Sequence, residues 1–345
     1  MSAFESAFRV VSINVFTVQP WIAGQARNDI NKFMLKHLVS SKDLKKEEYL
    51  EILRRFDYFV AKGISSDLAR GKIVATLFFQ PSTRTMNCFQ SAMLRAGGGW
   101  IGVTGAEGLS LSKGESWEDT IREYSSFADC LVLRHPDDDS AERAAKAATV
   151  PIINGGSGSR EHAVGTVMMI CNLSHYLKKF KKSLAGAKVG LYGTPEINRV
   201  SKALVPILGY WGIDLFIDDL GHFPLPKEVE ERARQNGIKS IKYDKLDNFI
   251  GEIDLLIVTR GLQKGIIPAD KFPKEKEEMI LKLYKPITKE HMKKMKPDSI
   301  LSMITPLIFE IERDVDTDPR AIYVQPAYYT ESALAVMTYL LGIKV

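Results

Sequence analysis

The sequence has few of the residues that staple a small fold and no bias that marks a special environment. Its three cysteines, Cys88, Cys130 and Cys171, stand far apart with no Cys-x-x-Cys pair. That spacing excludes a zinc knuckle and a disulfide framework, and it makes a reducing, cytoplasmic setting the expectation. No apolar run is long enough to span a bilayer, so no membrane association is expected. Neither sign of charge dominates: 47 Lys and Arg face 42 Asp and Glu, interspersed along the chain, for a net charge of +5. Nucleic-acid binding is therefore unmotivated, whereas a locally basic cleft for small anions is compatible. No Gly-x-Gly-x-x-Gly turn follows a strand, and Gly155-Gly156-Ser157-Gly158 leads to His162 instead, which places a dinucleotide-binding dehydrogenase last among the readings.

What the chain does have is an alternation of strand and helix patterns. At 345 residues, 45% hydrophobic and 26% charged, it suits an ordinary soluble protein of two domains. Leu44, Tyr49, Leu50, Leu53 and Phe56 form an apolar stripe at helical spacing. Strands are expected at 72–79, 100–103, 130–133 and 150–154, with helices at 86–94, 117–127 and 141–148 between them. The helix at 164–178 ends in Lys178-Lys179-Phe180-Lys181-Lys182-Ser183, a charged boundary before a new strand at 188–192. Further strands are expected at 214–217, 254–258 and 299–302, and a last helix at 330–341. The fold class is α/β: two doubly wound parallel-sheet domains of the Rossmann type with a cleft between them. Residues 1–30 lack the pattern of a secretory signal and read as an extension, a transit role being the minor alternative.

Phe78-Phe79-Gln80-Pro81-Ser82-Thr83-Arg84-Thr85 is the most informative segment. A strand ends in hydroxyl residues and an arginine where a helix begins. A helix start leaves N–H groups unpaired and carries partial positive charge, and an arginine can hold phosphate or carboxylate in a two-pronged bond. This segment resembles the carbamoyl-phosphate loop of the aspartate and ornithine carbamoyltransferases. Ser110-Leu111-Ser112-Lys113-Gly114-Glu115, Arg134-His135-Pro136 and the glycine-rich approach to His162 follow in that family's order. The likeness runs from about Phe33 to the C-terminus, is closest to the aspartate branch, and is better in the first half than in the second.

The resemblance implies a carbamoyl-phosphate-binding domain at 31–170, an amino-acid-binding domain at 171–325, and a C-terminal helix, 326–345, packing back on the first. It implies that Ser82, Thr83, Arg84 and Thr85 bind the phosphate, while Thr85, Arg134 and His162 surround the carbonyl oxygen as an oxyanion hole does. Ser110 and Lys113 would reach into a neighbouring subunit's site, giving a homotrimer with shared active sites. Arg260 and Gln263 would hold carboxylates of the acceptor, and Pro306 and Leu307 would offer carbonyl oxygens to the carbamoyl amide. No metal or cofactor is implied, and a regulatory chain is left open.

Three departures fall on the acceptor side. Ala163-Val164-Gly165 replaces Pro-Thr-Gln after the histidine, so a glutamine is missing at Gly165. No arginine directly follows Tyr192-Gly193; in Thr194-Pro195-Glu196-Ile197-Asn198-Arg199, Arg199 would substitute only along another loop path. Met303-Ile304-Thr305-Pro306-Leu307-Ile308-Phe309-Glu310 carries no arginine either. Each lost charge-assisted contact weakens a bound carboxylate by ~1.5–3 kcal/mol. The leading expectation is carbamoyl transfer to an amino acid, L-aspartate first, in pyrimidine biosynthesis. The alternatives are a different acceptor, or a non-catalytic anion-binding homologue serving as a regulatory or structural subunit.

Overall fold

Among the described residues, short apolar runs bounded by glycine and polar turns give nine strands in two parallel sheets. The computed structural model of the chain describes residues 35–105, 113–262 and 273–345. In the first sheet β1 (Ile73–Phe78), β2 (Gly99–Thr104), β3 (Cys130–His135) and β4 (Ile152–Ser157) lie in the order β2-β1-β3-β4. In the second, β5 (Lys188–Tyr192), β6 (Asp214–Asp218), β7 (Ser240–Tyr243), β8 (Leu255–Val258) and β9 (Ile300–Met303) lie in the order β7-β6-β5-β8-β9. Every pairing within these sheets is parallel.

Successive side chains on a strand point to opposite faces, and here both faces are buried. Val74, Phe78, Val132 and Ile153 enter one core with Phe56, Phe89 and Val167. Ala75, Leu77, Leu131 and Leu133 enter another with Trp117, Ile121 and Ala144. The second sheet repeats the pattern. Val189, Leu191, Leu215 and Ile257 join the same core as the first sheet's inner face, while Phe216, Leu256, Val258 and Leu301 face a separate core. One core is thus common to the two lobes.

The helices that matter for the site are α1 (Lys46–Lys62), α2 (Arg84–Arg95), α3 (Trp117–Phe127), α4 (Ser140–Ala147), α5 (Ala163–Lys179) and α6 (Arg199–Leu208). Helix α5 carries the chain from β4 to β5, between the sheets. The C-terminal helix Tyr329–Leu340 packs against α1, α2 and α5. Two details differ from the pattern read in the sequence. Strand β4 continues through Gly155 and Gly156 to Ser157 rather than stopping at Asn154, and β7 was not anticipated. β7 is an edge strand with Lys242 and Tyr243 exposed, so it lacks a buried-strand signature.

In an open parallel sheet, ligands bind beyond the carboxyl ends of the strands, where the strand order reverses. The reversal lies between β1 and β3 in the first sheet and between β5 and β8 in the second. The ends of these four strands and the loops after them carry Ser82 to Thr85, Arg134, Arg199 and Arg260.

Candidate active site

Those loops line one cavity of about 460 Å³. The first lobe supplies Ser82, Thr83, Arg84, Thr85, Arg134, His162 and Gly165, and the second supplies Asn198, Arg199, Arg260, Thr305 and Pro306. Met168, Met169, Met303, Ile304 and Tyr329 add an apolar border. Four guanidinium groups line the space, and among the described residues no Asp or Glu does.

Each side chain is placed by a local device. Thr83 precedes α2 with helical φ and ψ and makes no side-chain capping bond, so the helix start is not closed by a hydroxyl of its own. The N–H groups of that first turn remain available beside Ser82 and Arg84. Arg134 sits where the β3–β4 register shifts between Leu133 and His135. Such irregularities re-aim a side chain near a site. The Arg134 side chain runs over Gly156, where an added Cβ would lie 3.5 Å from its Cγ. Asn154 holds this stretch by accepting from the Gly156 amide at 2.8 Å and donating to the Val39 carbonyl at 2.8 Å.

His162 is the N-cap of α5, and its Nδ1 accepts from the Gly165 amide at 3.0 Å. A neutral ring accepting at Nδ1 carries its proton on Nε2, and Nε2 lies 3.3 Å from Thr85 Oγ1. Burial, then Arg199 and Arg134, push its pKa well below the ordinary histidine value. The ring is therefore a neutral hydrogen-bond donor facing the cavity. Gly165 is part of that arrangement, because a Cβ there would meet Nδ1 at 2.7 Å.

Arg199 was the open question, and the structure brings it in. It is the first residue of α6, whose N-cap Asn198 accepts from the Val200 and Ser201 amides at 3.0 Å. The six residues after Tyr192 cross the strand end and deliver the guanidinium to the cavity, 4% exposed. It donates to the Gly158 carbonyl of the first lobe, while its Nε is buried without a partner among the described residues. Burial, then repulsion from Arg134 and Arg260, lower its pKa to about 10. The Arg134 Nε is likewise buried without a partner, and burial lowers that guanidinium's pKa.

Arg260 follows β8 and is buried at 6% exposure. Burial lowers its pKa, Glu310 opposes that, and Arg84 adds to it. Glu310, fully buried, accepts from the amides of Gly261 at 3.0 Å, Ile308 at 2.8 Å and Phe309 at 3.0 Å. It ties the loop after β8 to the loop after β9, whose Thr305-Pro306 peptide is cis. Nothing in the sequence pattern singled Glu310 out, since an acidic loop residue reads as solvated.

Of the other expected site residues, Leu307 packs against the second lobe's separate core and is not on the cavity wall. Lys113 is exposed and does not line this chain's own cavity. Ser110 and Gln263 lie outside the described residues.

A cavity with four cations, an oriented neutral imidazole and an open helix start suits a ligand bearing several negative charges beside a polarisable carbonyl. Comparisons with known proteins agree. Residues 36–170 match the family described as aspartate/ornithine carbamoyltransferase, carbamoyl-P binding domain. The aspartate carbamoyltransferase catalytic subunit of Thermococcus onnurineus is 32% identical over 311 residues, 89% of this chain and 96% of that relative. That of Methanocaldococcus jannaschii is 35% identical over 300 residues, 86% and 94%. Among solved structures, the M. jannaschii aspartate transcarbamoylase catalytic subunit superposes with a TM-score of 0.76 at 32% identity, covering 89% of this chain and 98% of that one. The Trypanosoma cruzi aspartate transcarbamoylase in complex with carbamoyl phosphate and aspartate superposes with a TM-score of 0.77 at 28% identity, covering 88% and 95%.

Proposed function

The chain belongs to the aspartate/ornithine carbamoyltransferase family, and from that premise we propose that it transfers the carbamoyl group of carbamoyl phosphate to the amino group of L-aspartate. The products are N-carbamoyl-L-aspartate and phosphate, and the reaction belongs to pyrimidine biosynthesis. The observation that carries this reading is the convergence of Arg84, Arg134, Arg199 and Arg260 on one cavity whose described wall holds no carboxylate. A phosphate and two carboxylates together meet that demand.

The first lobe holds carbamoyl phosphate. Ser82, Thr83 and the start of α2 receive the phosphate, with Arg84 as its two-pronged partner. Thr85, Arg134 and the His162 Nε2–H face the carbonyl oxygen. The uncharged amine attacks the carbonyl carbon, a C–N bond forms, and negative charge grows on that oxygen. Donors already oriented there stabilise the charge without reorganising. The C–O bond to phosphate then breaks, and the amine's proton leaves with phosphate or water. His162 serves as a donor in its neutral form, not as a general base, because its acceptor nitrogen is committed to Gly165.

The second lobe holds the acceptor. Arg199 and Arg260 take its carboxylates, so Arg199 supplies the charge whose absence after Tyr192-Gly193 counted against aspartate. Pro306 offers its carbonyl oxygen to the carbamoyl amide, with Gln263 completing that side. Lys113 and Ser110 act in a neighbouring subunit's cavity, consistent with the exposure of Lys113, and the assembly is a homotrimer in the cytoplasm. Lobe roles follow the division at residues 31–170 and 171–325.

Phosphate release from carbamoyl phosphate by the purified chain, offered aspartate, ornithine and neutral amino acids in turn, tests the proposal. Turnover with aspartate at least tenfold above the other acceptors is expected. Turnover only with another acceptor, or none across the panel, would overturn it.

A further inference from the structure

Arg199 is held on the first lobe by a carbonyl, and what holds that carbonyl is a short turn outside the cavity. Gly158 ends the β4 stretch at φ 47, in the left-handed region that favours glycine. Asp138, in the loop that follows Arg134 and His135, fills the space a side chain would take there. A Cβ on Gly158 would lie 1.9 Å from Asp138 Oδ1. The same Oδ1 accepts from the Ser159 amide at 2.8 Å. The turn is pinned from its other side as well, where the Gly158 amide donates to the His135 carbonyl at 3.0 Å and the Ser157 amide donates to the Glu161 carbonyl at 3.0 Å.

We propose that Asp138 is a positioning residue for acceptor recognition: through the Gly158–Ser159 turn it fixes the carbonyl that receives the Arg199 guanidinium. The inference rests on Arg199 being a carboxylate ligand, as proposed above. Asp138 touches neither the cavity nor a substrate. It sits on the loop that follows β3, just beyond Arg134, so one element of the first lobe sets the position of a donor contributed by the second. Its charge also favours the Arg199 cation, against Arg134 and Arg260, which oppose it. A merely structural aspartate on an exposed loop has no reason to affect one substrate and spare the other.

Three measurements on the full chain separate the outcomes. Asp138→Ala is expected to raise KM for aspartate about ten- to fiftyfold and leave KM for carbamoyl phosphate within about threefold, the scale of losing an oriented charge-assisted contact. Asp138→Asn keeps an oxygen for the Ser159 amide and is expected to recover most of that loss. A crystal structure of the Asp138→Ala chain is expected to show Arg199 away from the Gly158 carbonyl. Equal shifts in both KM values, no shift at all, or an asparagine variant as impaired as the alanine one would overturn the proposal. So would an undisplaced Arg199, whatever the activity. An inactive unmodified chain speaks against the functional reading alone, and the crystallographic readout still decides the role of Asp138.

Discussion

Replacing Arg199 with glutamine should make the ligand-free protein slightly more stable and a worse enzyme. The guanidinium titrates at about 10 in the fold, well below the ordinary arginine value, lowered by burial and by Arg134 and Arg260. A lowered folded value for a base means that the fold disfavours the charged form. That penalty is fully present at pH 7 and fades only as pH rises past 10 towards the ordinary arginine value. At ~1.4 kcal/mol per decade it amounts to about 3 kcal/mol. Glutamine removes the charge and loses the charge-assisted bond to the Gly158 carbonyl, worth ~1.5–3 kcal/mol. The balance is a gain of up to about 1.5 kcal/mol, or at most ~1–4 °C in melting temperature. Binding moves the other way. An acceptor carboxylate loses its cation, and KM for aspartate should rise about ten- to a hundredfold at ~1.4 kcal/mol per decade. Thermal unfolding without ligand, paired with initial-rate kinetics, reads both effects. A variant that melts several degrees lower with an unchanged KM for aspartate would refute the reasoning.

Gly165→Ala should reduce kcat about a hundredfold, the scale of losing one oxyanion donor, because its Cβ would displace the His162 ring; an unimpaired variant would show that the ring position is not used. His162 should remain neutral from pH 8 down through 6.5 and take up a proton only in more acid solution, since burial, Arg199 and Arg134 all lower its pKa. A ring titration followed by NMR, assigned with His162→Gln, checks this, and a midpoint at or above 6.5 would contradict the donor role. Mixing Lys113→Ala chains with Arg84→Ala chains should restore part of the activity through sites that carry neither change, and confirmed mixed trimers without rescue would place Lys113 outside the site. Glu310→Ala should destabilise the chain by about 2–3 kcal/mol, because one buried and two part-buried amides lose their acceptor; a chemical-denaturation midpoint equal to that of the unmodified chain would show those amides find other partners.

The first lobe's half of the site was legible because each part is contiguous with a strand end. Ser82 to Thr85 follow β1 directly, Arg134 lies within β3, and His162 opens α5 after a glycine run. A reader who finds the strand finds the residue. The second lobe hides its parts behind loop geometry. Arg199 stands seven residues beyond Tyr192, and its entry into the cavity depends on the path of 193–198 and on Asn198 starting the helix there. Spacing from the strand end counted against it, whereas the geometry brings it beside Arg260. Glu310 was hidden for a different reason: its partners are backbone amides from two loops distant in sequence, which no residue pattern encodes. β7 escaped notice because an edge strand with exposed Lys242 and Tyr243 lacks the apolar run that marks a buried one. Local chemistry at strand ends can be read from spacing. Contacts made across loops need the chain path, and here those contacts are made by Arg199 and Glu310 of the second lobe.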